Sequence, residues 1–270
     1  MATPLRFLSP ATYWRKLRKI WLIRTYDWSR ARADQDAAFV AAGLDRVEGM
    51  RILDDALKDA QLPPFAASSG MASVHWLLFA CLARQRRIRR VLEIGTFDGE
   101  TTKLLATVFK EAEIATLDLP ADDPILRRTY ARGDEEALRE YERRVVNNTR
   151  SDRITLVRRN SFFLPAVVSG KFDLIWVDGG HLFPEVAWDV CNSYHMLADG
   201  GILMCDDVIL HPDGMSDGYV SPDSYRVLEY IRERTRDDLW FFLKRDSPEW
   251  SADPKKRKYV AVMRKRECLP

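Results

Sequence analysis

Apolar residues along the chain change their spacing several times, and each change marks an element. Tyr13, Trp14, Leu17, Ile20 and Trp21 fall on one helical face, and Val47 to Leu57 repeats a helical spacing. Residues 1–62 therefore read as a helical extension, and Pro63-Pro64 marks its boundary. From residue 63 to 270 the pattern alternates. A helix over Ala72 to about Arg84 leads into the apolar run Val91-Leu92-Glu93-Ile94. Similar runs recur at Glu113–Leu117, Ile154–Val157, Leu174–Val177, Ile202–Cys205, Trp240–Leu243 and Tyr259–Met263. Helical spacing separates them at Thr101–Phe109, from Pro184 to Tyr194, and at Ser224–Arg234. Strands alternating with helices predict an α/β fold of the Rossmann-like kind: a mostly parallel, seven-stranded sheet covered on both faces.

Three strand ends carry the chemistry. Val91 to Thr102 reads strand, glycine turn, helix, which brings backbone N–H groups up to a ligand. The spacing is E-x-G-x-x-x-G, with Phe97 where a dinucleotide site needs its second glycine, so NAD is disfavoured. The second strand ends in Asp118, about twenty residues past the turn, where a carboxylate suits the two hydroxyls of a ribose. Two later strands also end in acids, at Asp178 and at Asp206-Asp207, and His181 follows the first by three residues. Adjacent strands would bring these carboxylates together, and they repel unless a cation sits among them. An all-oxygen donor set of this kind suits Mg²⁺.

These stretches resemble the class I S-adenosylmethionine (AdoMet) methyltransferases, in particular the metal-dependent O-methyltransferases of the catechol and macrolide-sugar types. Leu197 to Val208 matches L-x-x-G-G-x-x-x-x-D-D-V, and Asp178 to Asp189 matches D-G-G-H-x-F/Y-x-x-V-x-x-D; the similarity covers residues 68 to about 210. The resemblance implies an antiparallel pairing of the last two strands. It also implies AdoMet contacts at Ser69, Glu93, Gly95, Thr96, Gly99, Thr101, Asp118, Asn160, Ser161 and Asp178. Asp178, Asp206 and Asp207 become ligands for Mg²⁺ or another divalent cation, and His181 the general base. The second acid of the Asp206-Asp207 pair matches the sugar-directed branch, which has Asp where the catechol enzymes have Asn. Phe183 stands at the family's tyrosine, and Gly180 replaces the aromatic residue that covers adenine in the catechol branch, which argues against a true catechol enzyme. The implied reaction is methyl transfer to a hydroxyl of a small molecule, such as a sugar, polyketide or phenol. The alternatives are a metal-independent methyltransferase and an AdoMet-binding protein without catalysis.

Composition narrows the partners. The 270 residues are 46% hydrophobic and 30% charged with net charge +2, so a sizeable core is expected and no bulk drive toward nucleic acid. Arg15, Lys16, Arg18 and Lys19 surround the first apolar stripe. Such a helix is compatible with peripheral contact to an anionic membrane. The plainer expectation is packing on the catalytic domain or on a second subunit, giving a homo-oligomer through the N-terminal helices. The charged insertion over Ala121 to Asn148 reads as a solvated helical face or a lid, and Lys255 to Lys258 as a solvated loop. Cys81, Cys191, Cys205 and Cys268 form no C-x-x-C pair; free thiols and a cytoplasmic location are expected. No apolar stretch reaches transmembrane length. His75 reads as structural.

Overall fold

The computed structural model describes residues 10–66, 73–129, 133–214, 216 and 219–267, with side chains from Thr12 on. Ser69 and Cys268 lie outside the described residues. Helices α1 (Pro10–Thr25), α2 (Trp28–Ala41), α3 (Arg46–Asp59) and α4 (Val74–Gln85) precede the first strand. Then follow β1 (Arg90–Ile94), α5 (Glu100–Val108), β2 (Glu113–Asp118), α6 (Pro124–Arg128), α7 (Glu135–Asn148) and β3 (Ile154–Arg158). The chain closes with α8 (Leu164–Val167), β4 (Phe172–Val177), α9 (Glu185–Met196), β5 (Leu197–Val208), α10 (Asp223–Thr235), β6 (Asp238–Leu243), α11 (Pro248–Ser251) and β7 (Tyr259–Arg264).

Short acids set several helix starts. Asp27, Asp45, Asp123 and Asp134 each accept a backbone N–H from the first turn of α2, α3, α6 and α7. The strands form one seven-stranded sheet in the order β3-β2-β1-β4-β5-β7-β6, with β7 alone antiparallel to its neighbours. The strand order reverses between β1 and β4, the point at which open α/β sheets hold ligands.

Because strand side chains alternate, the sheet feeds two cores. Val91, Leu174 and Trp176 face one way, onto Phe39, Leu53, Leu78, Phe79 and Leu104. Leu92, Ile175, Val177 and Leu203 face the other, onto Leu164, Val186, Val190 and Leu228. Helices α2 and α3 thus share a core with the sheet, and Phe39 meets Phe242 edge-on at 4.9 Å.

Helix α1 does not pack its apolar stripe on the domain. Tyr13, Trp14, Leu17, Ile20 and Trp21 are all exposed, so the apolar stripe is not covered by the chain's own domain. The opposite residues, among them Arg15, Arg18 and Leu22, line the central cavity, and Arg18 pairs with Asp253 at 3.2 Å. The insertion also differs from a purely solvated face. Leu138, Tyr141 and Val145 of α7 are buried with Leu126 of α6 in a small cluster that takes in Phe97. Cys81, Cys191 and Cys205 are free; Cys191 is exposed rather than buried. No described helix is long and apolar enough to cross a membrane.

Candidate active site

Strand register brings the site together. Ile94 pairs with Leu117 on one side and with Val177 on the other, and Val177 pairs with Cys205. The next residue of each strand is Gly95, Asp118, Asp178 and Asp206. All four therefore stand at one level, at the carboxyl edge of the sheet, and all line a cavity of about 1180 Å³.

Over β1 and β2 the cavity wall is a tight turn. Gly95 has φ +98°, and a Cβ there would lie 2.1 Å from the Asp178 carbonyl oxygen, so only glycine lets β1 and β4 close this near. Phe97 also has a positive φ, 48°, a strained conformation for a bulky residue. Its backbone N–H donates to Asp118 Oδ2 at 2.9 Å, and the Leu119 N–H donates to Oδ1 at 2.7 Å. The Tyr141 hydroxyl donates to Asp118 Oδ2 at 3.2 Å. The turn is braced from α7: Asn148 donates to the Asp98 carbonyl at 2.9 Å, and Arg144 lies 3.6 Å from the Asp98 carboxylate. Glu93 is fully buried beneath the turn and accepts from the hydroxyls of Thr102 and Thr116. Burial pushes its carboxyl up to about 8, against the pull of those two hydroxyls.

Over β4 and β5 the wall is charged. Consecutive strand residues normally face opposite sides of a sheet, yet Asp206 and Asp207 both face the same ammonium. The reason is an irregularity in the β5–β7 register between Cys205 and Val208, with Asp207 at φ +54°; a bulge of this kind re-aims side chains. Lys244 Nζ donates to Asp206 Oδ2 and, at 2.6 Å, to Asp207 Oδ1. Lys258 Nζ donates to Asp207 Oδ2 at 2.7 Å. Burial alone would raise the Asp207 carboxyl; the charges of Lys244, His181 and Lys258 outweigh it and hold it well below the ordinary carboxylate range. Burial alone would lower the Lys244 ammonium; Asp206 and Asp207 hold it above the usual lysine range instead. Burial, then the Asp206 charge, push Asp178 up to about 7.

His181 Nε2 lies 3.4 Å from Asp178 Oδ1 and 3.8 Å from Asp207 Oδ2. Burial disfavours the imidazolium, but the hydrogen bond to Asp178 and the charges of Asp207 and Asp178 raise its pKa above the ordinary value. His75, nearly buried, stacks on Trp176 at 4.7 Å and contacts Ser73 Oγ through Nδ1 at 2.6 Å. Burial drives its pKa down to about 3, so it is neutral.

Of the residues singled out from the sequence, Gly95, Thr96, Thr101, Asp118, Asn160, Ser161, Asp178, His181, Asp206 and Asp207 line the cavity together. Glu93 and Gly99 do not. Gly99 instead opens α5 at φ +83°, with Asn148 and Thr149 against it. The sequence reading missed Tyr141 and Lys244, and it placed Lys258 in a solvated loop. Lys255 and Lys256 are exposed as expected, but Lys258 is drawn in to Asp207.

AdoMet fits: a narrow turn, a carboxylate at the end of β2 and the polar pair Asn160 and Ser161 border one large cavity. A divalent metal does not fit as the side chains stand. Three of the four oxygens of Asp206 and Asp207 already accept from lysine ammoniums. Among the described residues no three His, Cys, Asp or Glu side chains are arranged to hold an ion. Asp206 Oδ1 is buried without a partner.

Comparison with known proteins agrees with this geometry. Residues 92–208 match a methyltransferase domain family. The O-methyltransferase hkm8 of Aspergillus hancockii is 29% identical over 138 residues, 50% of this chain and 48% of that protein. The chain thus spans about half the length of this curated relative. Two solved structures share the fold. One is the O-methyltransferase TomG from Streptomyces achromogenes in complex with SAM, at TM-score 0.50 and 19% identity, covering 89% of this chain and all of that one (100%). The other is cofactor-bound Rv0187 from MTB, at TM-score 0.50 and 23% identity, covering 82% and 90%. The strand order and the turn at Gly95 agree with the methyltransferase domain family that residues 92–208 match, and the solved structures share that fold.

Proposed function

We propose that the chain transfers a methyl group from AdoMet to a hydroxyl of a small molecule, with His181 as general base. The observation that carries this reading is the single cavity in which the Gly95 turn, Asp118 and His181 meet across adjacent strand ends. The O-methyltransferase relative supports the oxygen acceptor. The acceptor classes remain those of the sequence resemblance: a sugar, a polyketide or a phenol.

When bound, AdoMet supplies an electrophilic methyl group on a sulfonium sulfur. The chain's residues do the rest. Asp118 accepts the ribose hydroxyls, Gly95, Thr96 and Thr101 border the amino-acid end, and Asn160 and Ser161 border the adenine. Asp178 orients the His181 imidazole. His181 takes the acceptor's hydroxyl proton on the ring nitrogen that is not donating to Asp178 and passes it to solvent. The acceptor oxygen would then form its bond to the methyl carbon as the C–S bond gives its electron pair back to sulfur. Fixing the oxygen and the methyl group in line supplies much of the acceleration. Residues 63–270 form the catalytic unit in this reading, with 1–62 as a helical extension. The free thiols at Cys81, Cys191 and Cys205 support a reducing, cytoplasmic setting.

Metal assistance at Asp178, Asp206 and Asp207 is the second reading, favoured by the unpartnered Asp206 Oδ1. The remaining donors do not fit an ion. Full activity in excess EDTA would dispose of it.

The direct test is transfer from methyl-labelled AdoMet to a panel of hydroxylated acceptors. His181→Gln is expected to lower kcat by roughly 10²–10⁴-fold, the usual contribution of general base catalysis, with S-adenosylhomocysteine (AdoHcy) binding retained. Undiminished turnover would remove His181 from the mechanism.

A further inference from the structure

The acid cluster poses a problem of charge. Asp178, Asp206 and Asp207 converge at the edge of the sheet, and the sequence assigns the space among them to a divalent metal. Two side chains far along the chain already occupy it. Lys244 follows β6, and its backbone N–H donates to the Lys258 carbonyl at 3.0 Å. Its own carbonyl accepts from Val74 N–H at 3.2 Å, tying the residue to the start of α4. Lys258 directly precedes β7. Since Leu243 pairs with Tyr259, the loop end of the β6–β7 hairpin presents both lysines side by side, next to the end of β5. The backbone therefore fixes where the two ammoniums go.

Three acids thus face two ammoniums and one imidazole, and with the imidazole neutral only a single negative charge is left to recruit a dication. A divalent ion placed here would also stand within a few ångströms of two like charges, which is costly in a buried site. An ammonium has three N–H donors. Lys244 uses two, on Asp206 and Asp207, and it lines the cavity. One donor is left for a molecule bound there.

We infer that Lys244 is the resident cation of this site: its ammonium, backed by Lys258, fills the place of a divalent metal and offers its remaining N–H to the acceptor oxygen. The inference rests on the proposed methyl transfer only for the identity of that oxygen. The displacement of the metal is independent of it.

The test is a titration of the full chain with Mn²⁺, following the free ion by electron paramagnetic resonance, with an AdoHcy titration on the same samples. Wild-type protein is expected to take up no stoichiometric Mn²⁺. Lys244→Ala leaves the carboxylates without their buried partner, and one Mn²⁺ site should appear, on the order of a hundredfold tighter than any wild-type binding. Stoichiometric uptake by the wild type would overturn the inference. So would a Lys244→Ala protein that binds AdoHcy but gains no affinity for Mn²⁺. Should Lys244→Ala not fold, the wild-type titration decides alone. Loss of AdoHcy binding by the wild type would instead count against the methyltransferase reading and leave the Mn²⁺ result standing.

Discussion

The two halves of the cavity are built on different principles. Over β1 and β2 the wall is made by backbone: a glycine turn, two N–H groups donating to Asp118, and one acid at a strand end. Over β4 and β5 it is made by side-chain charge: three acids, two lysines and a histidine, joined by residues 37, 38 and 51 positions apart. The first half is fixed by one short stretch of chain. The second exists only once the β6–β7 hairpin is paired. A backbone-built wall suits a ligand common to many enzymes, whereas a charge-built wall can change with the acceptor.

This contrast can be broken by substitution. The largest effect is expected in the charged half, where Asp207→Asn removes the partner of both lysines. Breaking a buried pair of this kind costs about 3–5 kcal/mol, read as a lowered denaturant midpoint, with little change in AdoHcy affinity for the protein that remains folded. In the backbone-built half the effects reverse. Asp118→Ala should weaken AdoHcy by about 1.5–3 kcal/mol, roughly ten- to hundredfold by calorimetry, with a smaller loss of stability than Asp207→Asn, from the hydrogen bonds of Phe97, Leu119 and Tyr141. An equal loss of AdoHcy binding in Asp207→Asn would erase the distinction.

Glu93 sharpens it through pH. Its carboxyl stands near 8 in the folded chain against an ordinary 4.5, so the folded state holds the proton more tightly than the unfolded state does. Its contribution to stability is present below about pH 4.5 and is lost as pH rises through 8. Glu93→Gln should therefore flatten the fall in unfolding free energy between pH 5 and pH 8.5. An unchanged slope would show that Glu93 titrates normally. The smallest effect is expected from Tyr141→Phe, which removes one hydrogen bond to Asp118 and should cost about 0.5–1.5 kcal/mol in stability.

The same contrast explains what the sequence revealed. Alternating apolar runs and helical spacings were enough for the seven strands and their order of appearance, because each signal is local. The glycine turn and the acids at strand ends were legible for the same reason. Lys244 and Lys258 were not, since nothing near them in sequence distinguishes a lysine drawn in to Asp207 from exposed Lys255 and Lys256. Tyr141 was hidden within a charged insertion. Its spacing from Leu138 and Val145 at i−3 and i+4 was the available signal. The apolar stripe of α1 was read correctly as a stripe, but its exposure depends on which face of the helix meets the cavity, and the cationic face does.

The proposed reaction depends first on the cofactor half of the cavity, and one measurement addresses it most directly: calorimetric titration of the full chain with AdoHcy in excess EDTA. Saturable binding at one site per chain, unchanged by the chelator, is the predicted result. A folded protein that shows no binding would contradict the reading of the Gly95 turn and Asp118 on which the proposed reaction stands.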